Sequence, residues 1–193
     1  MSELKKKLIQ KISKLNPREV AERTGCEMVE GGVSFLFLRK KIEVKFQPYL
    51  FLTEGEGDER LEILVLHYLF RAKNIPVSGR WISFKEVPSG IFYYPSFRSR
   101  TEDVLKNLLP GKEEKWKEVM RDFGGKKEED DYYILLPFPR IPVKLGYFPP
   151  EEMLPPQVSF LFDSTIPIHF ETEDIALLAE IITSWIEEEI SHG

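Results

Sequence analysis

The chain has 193 residues, 42% apolar and 12% aromatic, which is enough for one domain with its own core and too few for more than two small ones. Its 27 basic and 32 acidic residues give a net charge of −5 and are mixed along the chain, so no uniformly positive face is offered to nucleic acid or anionic lipid. No stretch reaches the ~20 apolar residues that span a bilayer, and the lone cysteine, Cys26, excludes an internal disulfide, a CxxC pair and a cysteine-held cluster, which suits a reducing cytoplasm.

The opening "MSELKKKLIQKISKL" sets Leu4, Leu8, Ile12 and Leu15 on one helical stripe among lysines, without the continuous apolar run of a signal peptide. "NPREVAERTG" supplies Asn16 as N-cap, Pro17 at the first helical position and Gly25 as a stop, so the region of about residues 2–25 reads as helical. The period then changes to two. Val33, Phe35 and Phe37, a basic turn, and Ile42, Val44 and Phe46 predict a β-hairpin. After the polar loop "EGEGDER", the run "LEILVLHYLFRAK" places Leu61, Leu64, Val65, Tyr68 and Ala72 on one face of an apolar central helix.

"GRWISFKEVPSGIFYYPSF" predicts strand, Pro-Ser-Gly turn and strand, followed by a helix from Thr101. Trp116, Val119, Met120 and Phe123 mark another helix, closed by Gly124-Gly125. "YYILLPFPRIPVKLGYF" reads as two proline-interrupted strands, which the prolines assign to sheet edges. Val158 to Phe162 and Ile166 to Phe170 predict a last hairpin, with Thr172, Glu173 and Asp174 opening the closing helix through Trp185. The expected fold is therefore a single α+β domain over 1–193, an antiparallel sheet of hairpins each followed by a helix. The ββα order recurs at 33–73, 81–109 and 157–190, with "GVSFLF" and "QVSFLF" as matching first strands. Half-buried strands beside turns converge on such alternation, so duplication is not required.

Three stretches, "NPREVAERTGCEM", "LVLHYLFRAKNIPVSGRWISFKEVPSGIFYY" and "PRIPVKLGYFPPEEMLPPQVSFLFDSTIPIHFETEDIALLAEII", resemble an uncharacterised prokaryotic domain-of-unknown-function family. Its members occur alone or attached to iron-sulfur-cluster domains like those of corrinoid proteins in anaerobes. The resemblance implies no activity, substrate or catalytic residue. Cys26 stands where the family commonly has a small residue, and no cysteine-rich segment is present, so any link to iron-sulfur or corrinoid chemistry would run through a partner.

Several residues have the chemistry for a site. His67, beside Tyr68 in the apolar helix, would be a general base or metal ligand if a carboxylate oriented it; the competing reading is a core histidine satisfied by one hydrogen bond. His169 with Asp163, Glu171, Glu173 and Asp174 offers one imidazole and hard oxygens to Mn or Fe, but Thr172, Glu173 and Asp174 are also what a helix start requires, so no metal or other cofactor is expected. His192 lies in the tail. GxSxG, GxGxxG and the lysine-terminated phosphate loop are missing.

The segment "SGRWISFKEVPSGIFYYPSFRSR" stands out, since Arg80, Lys85, Arg98 and Arg100 outnumber Glu86 and lie among Trp81, Phe92, Tyr93 and Tyr94. In a hairpin, Arg80, Arg98 and Arg100 would meet at its open end, with Trp81 or Tyr94 over a planar group and Arg140 added to the same face. The opposing reading turns the aromatics to the core and pairs the arginines with acids. Together these features predict a noncatalytic cytoplasmic binding or accessory module taking an anionic small molecule or a protein partner. The alternative is an enzyme using His67 or His169.

Overall fold

A computed structural model describes residues 3–55 and 57–192, with residues 130 and 192 described by backbone alone. Helix α1 (Glu3–Ile12) buries Leu8 and Ile12, pairs Lys5 with Glu62 at 2.6 Å and leaves Lys6, Lys7 and Lys11 to solvent. Helix α2 (Pro17–Thr24) has the expected ends: Asn16 Oδ1 accepts the Arg18 N–H at 2.9 Å, and Gly25, at φ 76°, stops the helix by donating its N–H to the Ala21 carbonyl.

The predicted hairpin is present as β2 (Gly32–Phe37) and β3 (Lys40–Phe46), flanked by β1 (Glu27–Val29) and β4 (Tyr49–Thr53) in an antiparallel sheet ordered β1-β2-β3-β4. Helix α3 (Glu59–Arg71), capped by Asp58 on the Arg60 N–H, buries Leu61, Leu64, Val65 and Tyr68 as its periodicity requires.

The second sheet contains β5 (Trp81–Ser83), β6 (Lys126–Lys127), β7 (Tyr132–Phe138), β8 (Ile141–Phe148) and β9 (Gln157–Asp163), antiparallel and ordered β5-β9-β8-β7-β6. Helices α4 (Gly90–Arg100), α5 (Glu102–Leu108), α6 (Glu113–Asp122), α7 (Ile166–His169) and α8 (Thr172–His192) complete the chain. Among the described residues no helix is long and apolar enough to cross a membrane.

Two predicted hairpins are corrected. Residues 90–100 form α4 rather than a strand, so β5 pairs with β9 instead of with its sequence neighbour. The "IPIHF" segment begins as α7, with Pro167 in its first turn, where a missing N–H costs nothing. Of the three ββα units, only the first is formed, with β4 inserted before its helix. The prolines do not mark sheet edges either, because β8 is central. The β7–β8 register jumps from Leu135↔Val143 to Phe138↔Ile141, and β9 meets β8 only from Val143 onward, so Pro137 and Pro142 fall where no ladder donor is needed.

Phe138, at the end of β7, joins the parts. Its ring lies 5.4 Å from Phe35 and 5.3 Å from Phe37 of the first sheet, 4.5 Å from Tyr68 of α3, and 5.5 Å from Phe170 before α8. The buried side chains of both sheets consequently form one continuous cluster.

Candidate functional site

The helical turn of α4 disperses the arginines. Residues two apart on a helix point to different sides, so Arg98 meets Asp103 at 3.0 Å while Arg100 meets Glu180 at 3.2 Å. Tyr94 donates its hydroxyl to Glu102 at 2.8 Å and lies under Lys85, and the Lys144 ammonium lies over Trp81. Arg140 is committed to backbone: Nε donates to the Arg23 carbonyl at 2.9 Å and Nη2 to that of Glu22, both at the end of α2. Arg80 is exposed at the start of β5. Arg98 and Arg100 are thus taken by separate acids and Arg140 by a helix end, leaving Arg80 apart from these contacts.

The polar set divides as well. His67 Nδ1 donates to Asp174 Oδ1 at 2.6 Å, and Asp174 Oδ2 accepts the Glu171 N–H at 3.3 Å, so one buried carboxylate orients an imidazole and opens α8. Ile175 N–H bonds to the Glu171 carbonyl, which makes Glu171 rather than Thr172 the N-cap of α8; the Thr172 hydroxyl donates instead to the Pro88 carbonyl.

His169 is fully buried, and its Nδ1 accepts the Lys73 N–H at 3.4 Å. Burial and, secondarily, the nearby Arg140 charge lower its pKa, so the ring is neutral, with the proton on an Nε2 that has no partner among the described residues. Asp163 holds a turn, accepting the N–H groups of Ser78, Gly79 and Thr165 and the hydroxyls of Ser78 and Thr165. Among the described residues no three His, Cys, Asp or Glu side chains gather as a metal site would need. The side chain of His192 lies outside the described residues.

Cys26 follows the end of α2 and is buried. Burial pushes its thiol up to about 11, against the lowering effects of Thr24, Arg140 and Arg23. It should therefore react with a disulfide reagent such as dithionitrobenzoate only on unfolding: no colour in native buffer at pH 8 and one equivalent in urea. Rapid native labelling would show the thiol to be accessible.

The feature with the geometry of a binding site is a trough of about 630 Å³ between the outer face of the first sheet and the end of β7. Strand alternation turns Ser34 and Leu36 to this side of β2. Leu38, Phe123, Leu136 and Pro139 supply apolar walls, with Glu27 and Lys41 on the rim. Two helices stop at its margin through left-handed glycines, Gly25 at φ 76° and Gly124 at φ 73°, so neither crosses the opening.

Leu38 occupies the β2–β3 turn at φ 53°, a conformation that costs an L-residue about 1–2 kcal/mol, yet its side chain is buried. Across β2, Leu36 pairs with Lys41 and Ser34 with Glu27, which puts the two rim charges at diagonal corners. Sequence reasoning missed this site because its walls come from segments distant in the chain. The one local signal was a two-residue hairpin turn, Leu38-Arg39, without Gly, Asn or Asp.

An α+β domain of two antiparallel sheets with an apolar trough between them is the class that this geometry defines. Residues 16–185 match the family DUF3786, a domain of unknown function, and the chain belongs to that family. No curated protein and no solved structure matches it.

Proposed function

We propose that the protein is a noncatalytic binding module whose ligand is a small carboxylate with an apolar or aromatic body, held in the trough between the sheets. Lys41 carries this reading. Among the described residues it makes no ion pair or hydrogen bond, and it sits directly across the strand pair from Leu36, an apolar side chain left 59% exposed. A carboxylate at Lys41 lays the ligand body along Leu36 and Leu136, while Glu27 at the far corner keeps the acid at the lysine end. The strained Leu38 in the wall fits the same role, since strain collects at ligand clamps.

The test is calorimetric titration with octanoate and naphthoate beside the matching alcohols. The acids should bind about tenfold more tightly, ~1.4 kcal/mol. Lys41→Glu should remove that preference and Leu36→Asp the binding itself, with melting temperatures unchanged because both positions are exposed. Equal affinity for acids and alcohols, or binding indifferent to Leu36→Asp, would refute the proposal.

Within the same proposal, the module serves an iron-sulfur or corrinoid protein in the cytoplasm of a prokaryote. The sequence resemblance supports that setting, and the single thiol of these 193 residues supports cluster ligands that lie outside them. A pull-down from an anaerobe's lysate that recovers no such protein would remove this part and leave the ligand reading standing. The second reading, acid–base catalysis, rests on the Asp174 contact that leaves His67 Nε2 as the free nitrogen. Neither His67 nor Asp174 lines the trough. Turnover of an ester or phosphate substrate that vanishes in His67→Asn would favour it.

A further inference from the structure

A second cleft, of about 260 Å³, lies between α4 and the first half of α8 and shares no wall with the trough. Two cross-links frame it. The Thr172 hydroxyl holds the Pro88 carbonyl at 2.6 Å at one end, and Arg100 meets Glu180 at 3.2 Å at the other, with ~12 Å of helix axis between Thr172 and Glu180.

The floor is apolar: Phe84 and Phe97 stack at 4.1 Å beside Ala176 and Leu177. Tyr93 stands exposed on the α4 wall, and Phe92, one turn from Ser96 of the same wall, is 82% exposed. On the α8 wall Glu173 makes no ion pair or hydrogen bond among the described residues. Arg100 offsets Glu180, so the cleft carries one uncompensated negative charge above aromatic rings.

We propose that this cleft receives one lysine or arginine side chain of a partner protein, with its aliphatic stem on the Phe97 floor, its charged head between Glu173 and Tyr93, and Phe92 as the flanking contact. The volume falls below the ~300–1,000 Å³ typical of a whole small-molecule ligand and suits a single anchoring side chain. Charge selects the anchor. An acidic side chain would be repelled by Glu173, and an apolar one would cover that carboxylate without a counter-charge. A long basic side chain satisfies both surfaces, since its methylenes lie on apolar atoms while its head stays with the carboxylate and the tyrosine face. Exposed aromatics beside such a pocket are the usual composition of a protein interface centre.

The experiment follows backbone amide chemical shifts of the full chain on titration with two blocked tripeptides, acetyl-Leu-Lys-Leu-amide and acetyl-Leu-Glu-Leu-amide. The lysine peptide should shift the amides of Tyr93, Glu173 and Leu177 saturably, and the glutamate peptide should not. Glu173→Gln should weaken the lysine peptide by about fivefold, as expected for a partly exposed charge pair, and ~1 M salt should act in the same direction. Phe92→Ala, at an exposed position, should weaken binding without changing the melting temperature. Equal response to both peptides, shifts confined elsewhere, or no shift at millimolar peptide would overturn the assignment. So would concentration-dependent self-association abolished by Phe92→Asp, which would make a second copy the occupant. None of these readouts involves Leu36 or Lys41, so failure here is distinguishable from failure of the carboxylate trough.

Discussion

Tyr68→Ala is expected to lower the unfolding free energy by about 3–5 kcal/mol, the range for removing a buried aromatic ring. The ring is fully buried and lies 4.5 Å from Phe138, 5.8 Å from Phe170 and 6.4 Å from Phe35, so its loss opens a void where α3, both sheets and the approach to α8 meet. Its hydroxyl donates to the Thr24 carbonyl at 2.7 Å and accepts the Arg140 N–H at 3.2 Å. Tyr68→Phe keeps the ring and strands those two backbone groups, at a cost of about 1–3 kcal/mol. Urea denaturation separates the two contributions. An unchanged midpoint for the alanine variant would mean that α3 is peripheral.

Asp163→Ala should cost about 3 kcal/mol or more, because one buried carboxylate accepts from three backbone N–H groups and two hydroxyls, and hydrogen bonds to a charged acceptor are worth ~1.5–3 kcal/mol each without being additive. Burial alone would raise the Asp163 pKa, but the donors from Thr165, Ser78 and Gly79 outweigh it and the net shift is downward. The folded pKa therefore lies below the unfolded value of about 3.9, so the stabilisation is complete above that pH and is lost as pH falls through the folded value. Melting temperatures measured from pH 6 to pH 2 should fall less steeply for Asp163→Ala than for wild type. Parallel curves would show that the turn holds without its carboxylate.

Local signals dominate some elements, and those could be read. Asn16, Pro17 and Gly25 bound α2 through contacts within a few residues, and the buried stripes of α3 and α8 follow from periodicity. Helix α4 could not be read this way. "IFYYPSF" is aromatic and contains Pro95, which argues against a helix interior, yet long-range contacts decide its conformation. A Cβ at Gly90 would lie 1.9 Å from the Phe84 carbonyl oxygen, so only glycine allows this turn against Phe84. Phe97 then packs among Phe84, Phe160 and Phe162. In α7 the readable hints were Pro167 in the first turn and the Asp163 side chain closing on the Thr165 N–H. Of the polar residues singled out, the His67–Asp174 contact unites two, whereas Lys41 and Leu36 gain meaning only from the neighbouring β7.

The pairing of β5 with β9 has a consequence for synthesis. The first sheet draws all four of its strands from residues 27–53, so its pairing waits for no later strand. Trp81 finds its strand partner only at Asp163, about 80 residues later, a wait of ~4–16 s at ~5–20 residues per second. During that interval Phe97, stacked on Phe84, lacks the Phe160 and Phe162 rings that meet it in the finished fold. The nascent chain thus carries an uncovered aromatic segment behind a sheet whose strands are all complete, and this is the stage at which a chaperone would have most to hold.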